Sequence, residues 1–569
     1  MKIFLKQHIL GIFLSFCIGA IIAAPPFIFR FSKDYQGFHM MKTNTEAHYV
    51  AQVQEVYDGH YGLGNPFFAD LKDTPYAFPP LSPYLVAGFG RLFGLSTIEA
   101  VMVFRFFATS ALAFFIYLFT AEITKQKLAG LVAAPFVMLA YSLVDPSYIL
   151  SIFRDGGLPP RLGFIDYGRP TNPQVSSLLF FSYLYFFWKS LEENTARWKT
   201  YGAMSTVLLG LSFYAYLFTW TFLLSLNGFL FLVYAWRKEW GIVKRIFFIS
   251  LGAFIIGIPY LLHTLEVARH PDYTETVTRF GFVNIHTPNI SRVVIGALLL
   301  FLLTFRRFET HARRFFFAFF LTAFFVVNEQ VLTGIYVFNH HYHWYYNTPL
   351  VIVFAVATLF AFVHGKRATW IASALCILFF FHGIWAQKTA YEAVLPTVIA
   401  EQRYAPLIEW INKESSKDAT MFASHELADP ISSLTHANVY YNGTAIYTLA
   451  PNERFFHAYL MFRYLDNVPT TTARAYFETH RNDISGFVFG YAYSFLPDTC
   501  FGCFPDTVID RLTAAYTQLS DEIFITELKK YPVDYIIWDK QRYPSWRIDR
   551  FGLPLAIQFG DIGVYTVGS

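Results

Sequence analysis

Of the 569 residues, 55% are hydrophobic, 20% are aromatic and 15% are charged, and the mean hydropathy is +0.37. An average soluble protein carries about 25% charged residues, so the composition excludes a soluble globular enzyme, a disordered chain and a nucleic-acid-binding protein built on a basic patch. The net charge of +4 is too small to indicate a partner.

The apolar residues are gathered in long blocks, as in a protein that crosses a membrane several times. A helix needs roughly 20 apolar residues to cross the hydrocarbon core. In chain order the blocks predict eleven spans: 9–29, 98–121, 128–148, 173–188, 200–216, 219–236, 246–263, 291–305, 315–331, 346–363 and 369–386. The block 80–95 contains two prolines, three glycines and Arg91, so we expect a juxtamembrane or re-entrant helix there.

The distribution of positive charge predicts the orientation. With the N-terminus inside, the inner segments hold 17 Lys and Arg in 47 residues, whereas the outer loops 30–79, 145–172, 264–289 and 332–345 hold 9 in 118. This asymmetry follows the positive-inside rule. We therefore expect a polytopic α-helical protein of the cytoplasmic (inner) cell membrane, with its N-terminus inside and its C-terminus and long loops outside.

The first apolar block has a second interpretation. Lys2, Lys6 and the segment Ala20–Ala24 resemble a secretory signal peptide. Pro25 and Pro26 follow directly and disfavour cleavage, so we favour retention of the block as the first span.

From about residue 388 the composition becomes that of a soluble protein. We therefore predict two domains: a membrane domain over 1–388, with outer loops 30–97, 145–172, 264–290 and 332–345, and an extracytoplasmic soluble α/β domain over 389–569. A domain of this size can bury its own core. Strand-like segments within it are 418–424, 437–441, 486–491, 535–538 and 563–567.

Two of the four cysteines, Cys500 and Cys503, form a Cys-x-x-Cys motif in the predicted outer domain. In an oxidising compartment a small disulfide is the favoured interpretation. Free thiols and a metal or redox site are the alternatives.

The first outer loop carries the densest set of charged side chains. Within it the segment 43–49 runs into a helix-like stretch, Val50 to Tyr57, that ends at Asp58-Gly59, a typical helix stop. Thr43 or Thr45 could cap this helix, with Glu46 in its first turn. Valines on one side of the stretch give it an apolar face, which we expect to lie on the bilayer surface. One interpretation of Glu46 is therefore an ordinary exposed carboxylate that interacts with the helix dipole.

Several motifs together resemble the membrane glycosyltransferases of the GT-C superfamily. They are Glu46-x-x-Tyr49, Asp58-Gly59, Tyr76–Leu81 with Arg91–Gly94, Arg105 in the next span, and Lys529–Trp538. The resemblance covers the architecture of the whole chain, although each motif is short. Many relatives carry an Asp or an Asp-Glu pair where this chain has Asn44 and Glu46, and the chain lacks the Trp-Trp-Asp motif of oligosaccharyltransferases.

The resemblance implies an enzyme that moves a sugar, with inversion, from a polyprenyl-phosphate carrier to an acceptor at the outer face of the membrane. The implied partners are the lipid-linked donor, membrane lipid and an unknown acceptor, with no nucleic acid. Such a reaction needs a base for the acceptor proton and cations or a metal for the departing phosphate. Glu46 is the first candidate for the base, Asp58 the second, and His48 is a candidate substrate contact.

The second outer loop offers further polar residues. Asp155 and Asp166 are candidate ligands of a divalent metal, although they form no clear two-acid motif. Arg161 and Arg169 are candidate phosphate contacts, because a guanidinium binds phosphate with two parallel hydrogen bonds. The alternative for both arginines is snorkelling at the membrane interface.

The segment 339–346 contains three histidines among aromatic residues. His341 and His343 would share a face if the segment is extended, and His340 and His343 would share one if it is helical. A contact of His340 or His343 with phosphate or sugar is one interpretation, ranked after aromatic packing at the interface. A zinc site is a further alternative.

Two other functional classes share this architecture. A transporter or flippase for a lipid-linked substrate would place ionisable residues within the spans and show internal repeats. The predicted spans carry few such residues, of which Arg105 is the clearest, and the sequence shows no evident repeat. A non-catalytic membrane scaffold would keep the fold and lose only the catalytic acid.

Overall fold

A helix lies at each of the eleven predicted spans in the computed structural model, which describes residues 2–41, 45–192, 197–494 and 501–568. These helices are Lys2–Arg30, Thr97–Thr124, Lys127–Leu139, Gln174–Glu192, Arg197–Phe213, Leu217–Trp236, Trp240–Ala268, Arg292–Thr304, Thr310–Val326, Thr348–Phe362 and Gly365–Glu401. Their facing sides form one large apolar core rich in phenylalanine and tyrosine.

Six helices within the described ranges are long and apolar enough to cross a membrane, so the chain is a multi-pass membrane protein by the length and composition of its helices. They are Phe4–Arg30, Thr97–Thr124, Leu217–Trp236, Trp240–Ala268, His340–Phe362 and Gly365–Glu414. The remaining helices are shorter or more polar. Lys127–Leu139 and Arg292–Thr304 have 13 residues each, about 20 Å of helix against a hydrocarbon core of about 30 Å. The count of eleven spans and their orientation stay predictions.

The basic connections predicted to lie inside meet at one end of the bundle. Lys125 pairs with Glu192 at 2.6 Å, and Lys189 pairs with Glu122 at 3.4 Å. These ion pairs join the connections around residues 125 and 192, which the charge asymmetry assigns to one side of the membrane.

The first long loop folds into two helices, Glu46–Asp58 (the loop-1 helix) and Leu81–Leu92. The loop-1 helix ends as predicted, with Gly59 in the left-handed conformation at φ 92°, which glycine adopts without steric cost. Its valine face does not lie on the bilayer surface, as we expected. Val50 and Val53 are fully buried against Leu81–Leu92 and the start of Thr97–Thr124, because these two helices offer a protein surface that covers the apolar face.

The chain after Glu401 forms a five-stranded mixed sheet flanked by helices. The strands in spatial order are Asn438–Val439, Thr420–Phe422, Tyr535–Asp539, Ile562–Thr566 and Leu555–Phe559. The first three are parallel and the last two pair antiparallel. The flanking helices include Ala405–Glu414, His425–Leu434, Asn452–Leu465, Asp506–Thr517 and Asp521–Leu528.

Two features of this sheet differ from the sequence-based prediction. The segment predicted as a strand over 486–491 is a wide helical turn, Ser485–Phe489, which ends at Gly490 with φ 54°. Its apolar residues, such as Val488, are buried in the core, so a short apolar run did not distinguish strand from helix. The strand Leu555–Phe559 was missed because it is a partly exposed edge strand without an apolar run.

Ion pairs and hydrogen bonds connect the long loops to the C-terminal part of the chain, which follows Glu401. Asp70 of the first loop pairs with the buried Arg454 at 3.2 Å, and the carbonyl oxygen of Phe67 accepts a hydrogen bond from the Val439 amide at 2.9 Å. The third long loop is anchored by Arg279, which is 1% exposed and donates to the carbonyl oxygen of Ala450. Burial lowers the pKa of Arg279 to about 10, so its guanidinium remains charged. The predicted domain boundary at 388 lies inside the continuous helix Gly365–Glu401.

Candidate functional site

A cavity of about 600 Å³, the outer cavity, lies at the end of the bundle that carries the long loops. It is bounded by residues 141–148, 289–293 and 336–348. The lining residues are Tyr141, Ser142, Val144, Asp145, Pro146, Ser147, Tyr148, Asn289, Ile290, Ser291, Arg292, Val293, Val327, Tyr336, Asn339, His340, His343, Trp344 and Thr348. This set combines aromatic rings with cationic and hydrogen-bonding side chains, which suits a ligand with an anionic and an apolar part.

The predicted histidines lie on one wall of the outer cavity. The chain widens into a single turn of π-helix over His343–Asn347, a distortion often found at functional sites. The His340 ring packs edge-on against Trp344 at 4.6 Å, and His343 Nδ1 lies 3.3 Å from the Ser291 hydroxyl. The third histidine, His341, turns away from the cavity and hydrogen-bonds the Tyr216 hydroxyl at 2.7 Å.

The opposite wall begins with a short amphipathic helix, Pro146–Arg154 (the surface helix). Asp145 caps it, with its carboxylate accepting from the Ser147 amide at 2.8 Å. The apolar side is uncovered, since Leu150 and Phe153 are 68% and 79% exposed. A helix with an exposed apolar face is typical of the membrane interface, and the first residues of this helix line the cavity.

Behind the cavity, the turn Asp166–Arg169 (the 166–169 turn) connects the cavity wall to the loop-1 helix. The Tyr141 hydroxyl donates to Asp166 Oδ2 at 3.2 Å, which places this carboxylate one hydrogen bond away from the lining. Arg169 is 7% exposed and donates to the Tyr345 hydroxyl at 2.7 Å. The same guanidinium lies 5.7 Å from the ring of Tyr49, on the loop-1 helix.

Glu46 is buried, so it is not the exposed first-turn carboxylate of the alternative interpretation. It is 3% exposed and forms an ion pair with Arg105, which is also 3% exposed. Arg105 comes from the helix Thr97–Thr124, and its side chain passes close to Gly168 of the 166–169 turn. Asp166 is thus the first residue of this turn, and Glu46 is connected to the turn through Arg105.

His48 lies away from the outer cavity. It packs among Phe67, Phe78 and Tyr447, between the first loop and the C-terminal part, and is 2% exposed. Burial lowers the pKa of His48 to about 3, so the ring is neutral at physiological pH. A neutral, enclosed ring is suited to packing, and His48 does not line the outer cavity.

The remaining predicted residues are dispersed. Asp58 lies at the far end of the loop-1 helix, where it accepts from Gln54 at 3.0 Å and burial raises its pKa. Asp155 is partly exposed and pairs with Arg154 at 2.8 Å. Arg161 lies 5.8 Å from the ring of Tyr141, beside the cavity wall.

The two residues proposed as metal ligands, Asp155 and Asp166, each have another partner in the structure. Asp155 is engaged by Arg154, while Asp166 is engaged by Tyr141. Within the described ranges, no group of three or more His, Cys, Asp or Glu side chains could hold a metal ion. Cys503 is disulfide-bonded, and Cys500 lies outside the described residues.

Sequence reasoning missed several residues of the site. Asp145 and Arg292 line the cavity, and Tyr345 links it to Arg169. Asp145-Pro146-Ser147 has the typical pattern of a helix start, which is the one local signal that marked this wall. The contacts across the site join residues far apart in the chain, so no local pattern could reveal them.

The chain matches no protein-family model, and no curated protein matches it significantly. Among solved structures it is similar to ArnT from Cupriavidus metallidurans bound to undecaprenyl phosphate, with 9% identity, a TM-score of 0.48, and 99% of this chain and 98% of that chain covered. It is also similar to the Archaeoglobus fulgidus oligosaccharyltransferase tethered with an acceptor peptide, with 13% identity, a TM-score of 0.47, and 94% and 69% covered. Both are glycosyltransferases, the class that the motifs resemble.

Proposed function

We propose that the protein is a membrane glycosyltransferase that takes a sugar from a polyprenyl-phosphate carrier bound in the outer cavity. The observation that supports this most strongly is the cavity itself, with about 600 Å³ of space lined by histidine, arginine and aromatic side chains beside the uncovered apolar face of the surface helix. We place the cavity on the outer side of the cytoplasmic membrane, following the charge asymmetry of the connections.

The residues in and beside the outer cavity suit the polar head of such a donor, which is its phosphate and sugar, and its apolar isoprenoid chain. Arg292, His340 and His343 supply hydrogen-bond donors for a phosphate group. Leu150 and Phe153 of the surface helix offer apolar contact for the start of an isoprenoid chain. Trp344 lies beside the histidines and supplies a flat surface on which a sugar can rest.

In the proposed reaction, an acceptor hydroxyl attacks the anomeric carbon of the donor sugar from the side opposite the phosphate. The new carbon–oxygen bond forms while the bond to the phosphate oxygen breaks, and polyprenyl phosphate leaves with the electron pair. Asp166 is the final base and acts through Tyr141: the Tyr141 hydroxyl, which lines the cavity, takes the acceptor proton while it passes its own proton to Asp166 Oδ2, the oxygen it already hydrogen-bonds at 3.2 Å. Glu46 acts as a positioning residue that holds Arg105 beneath the 166–169 turn.

Binding of the carrier tests the first half of the proposal. Undecaprenyl phosphate is added to the purified protein in nanodiscs and its retention is measured by native mass spectrometry. The variant Arg292→Ala/His343→Ala should bind at least about tenfold more weakly, because two hydrogen-bonding partners of the phosphate are removed. The control Arg269→Ala removes an exposed arginine of another outer loop and should change nothing; equal binding by both variants would contradict the site.

Turnover of the native donor tests the second half. Asp166→Asn should make the carrier-linked sugar accumulate in cell membranes, measured by lipid mass spectrometry, while retaining undecaprenyl phosphate binding. Loss of a general base lowers the rate by about 10²–10⁴-fold. Normal donor levels in cells that depend on the variant would exclude Asp166 as the base.

A further inference from the structure

A second cavity, the inner groove, lies at the opposite end of the bundle from the outer cavity. Its volume is about 660 Å³, and it lies between Leu217–Trp236, Arg292–Thr304 and Thr310–Val326. The walls are apolar and are formed by Phe229, Leu232, Phe301, Leu302, Phe317 and Leu321. Leu232 and Leu302 are 61% and 57% exposed, so the groove opens sideways, where a membrane helix meets lipid tails.

Three arginines lie at the mouth of the inner groove: Arg237, Arg313 and Arg314. Arg314 is matched by the carboxylate of Glu239 at 2.7 Å. Arg313 donates through Nη2 to the carbonyl oxygen of Phe308 at 3.1 Å, while its Nε is buried without a hydrogen-bond partner. Arg237 is exposed.

The charge around the mouth is strongly positive. The two connections that reach it, 237–239 and 305–314, contain six Lys and Arg but two Glu. Trp236 and Trp240 stand at the same level and are 86% and 57% exposed. Exposed tryptophans are typical of the boundary between headgroups and hydrocarbon, so the arginines lie at the depth of lipid phosphates.

We infer that the inner groove is a binding site for an acidic phospholipid. One acyl chain lies along the apolar walls, and the phosphate pairs with the guanidinium groups of Arg237 and Arg313 at the mouth. An acidic headgroup is favoured over a zwitterionic one, because a choline or ethanolamine cation would face the surplus of basic residues at the mouth. This inference concerns a lipid that the protein keeps, and it does not depend on the proposed glycosyl transfer.

The test compares two lipids of equal chain length, phosphatidylglycerol and phosphatidylcholine, added to the delipidated full-length protein and measured by native mass spectrometry. Phosphatidylglycerol should bind with one preferred site and at least about tenfold more tightly than phosphatidylcholine. Arg237→Ala/Arg313→Ala should remove this preference, since each basic residue near a lipid surface contributes about a factor of five. The control Lys366→Ala/Arg367→Ala removes two exposed charges from a neighbouring connection and should retain the preference for phosphatidylglycerol.

A second variant leaves the charges intact. Leu302→Trp fills the groove and should abolish the preferred site without changing the basic mouth, so the inference remains testable if the arginine variant fails to fold. Equal affinity for the two lipids, or unchanged binding by Leu302→Trp, would overturn the assignment. Displacement of phosphatidylglycerol by undecaprenyl phosphate at this site would overturn it as well, because the groove would then belong to the carrier.

Discussion

Removing Glu46 should destabilise the protein, because its buried partner Arg105 would lose its counter-charge. Both side chains are 3% exposed, and breaking one side of a buried ion pair costs about 3–5 kcal/mol of unfolding free energy. Replacing both partners by apolar residues of similar volume is often neutral. Glu46→Leu and Arg105→Met should therefore each lower the thermal-unfolding midpoint in detergent by several degrees, and the double variant should recover most of the loss.

The matched control is Glu392→Gln, on the exposed side of the helix Gly365–Glu401, where Lys388 pairs with Glu392 at 3.7 Å. An exposed pair at this spacing contributes about 0.5 kcal/mol or less, so the midpoint should hardly move. If Glu46→Leu behaves like this control, the buried ion pair does not contribute as argued.

The same double variant separates positioning from catalysis. If Glu46 and Arg105 act only by supporting the packing around the 166–169 turn, the double variant should return donor turnover to within about tenfold of the wild type. If the double variant is stable and turnover stays at least about a hundredfold low, the charged pair itself takes part in the reaction, and a purely positioning role for it is wrong.

His48→Phe should flatten the dependence of stability on pH in thermal melts. Because the folded pKa of His48 is about 3 and the unfolded value is about 6.5, its contribution is lost as pH falls, by about 2 kcal/mol between pH 7.5 and pH 5; an unchanged profile would contradict this. Arg454→Met should leave Asp70 unpaired and loosen the first loop by at least about 2 kcal/mol, so limited proteolysis between residues 59 and 80 should become faster. Arg169→Lys keeps the charge but loses the planar fork that holds Tyr345; it should lower the unfolding free energy by about 1–3 kcal/mol, and an unchanged melt would show that the turn does not need it.

The positions of the membrane helices could be predicted because each one is an apolar block, a local property of the chain. The short helix Leu81–Leu92 could also be predicted, from the prolines and glycines of its segment. The end of the loop-1 helix at Gly59 could be predicted because glycine adopts a positive φ without steric cost. The strand Leu555–Phe559 could not be predicted, because an exposed edge strand has no apolar run. The segment around Ser485–Phe489 was predicted as a strand but is a helical turn, because five mostly apolar residues fit either a strand or a helix.

The candidate site was predictable only in part. The histidine-rich segment identified His340 and His343, which line the outer cavity. The ion pair between Glu46 and Arg105 was not predictable, because the two residues are 59 positions apart in the chain and come together only in the folded protein. Burial of Glu46 also follows from the packing of the loop-1 helix against its neighbours, which the sequence pattern assigned to the bilayer surface.

Photo-crosslinking of the carrier tests the central claim most directly. A polyprenyl phosphate with a photoreactive group near its phosphate is irradiated with the protein in nanodiscs, and the labelled peptides are mapped by mass spectrometry. Binding in the outer cavity predicts labels within 289–293 and 339–348, and their loss when unlabelled undecaprenyl phosphate competes. Labels confined to the inner groove, or labelling that competition does not reduce, would contradict the placement of the donor.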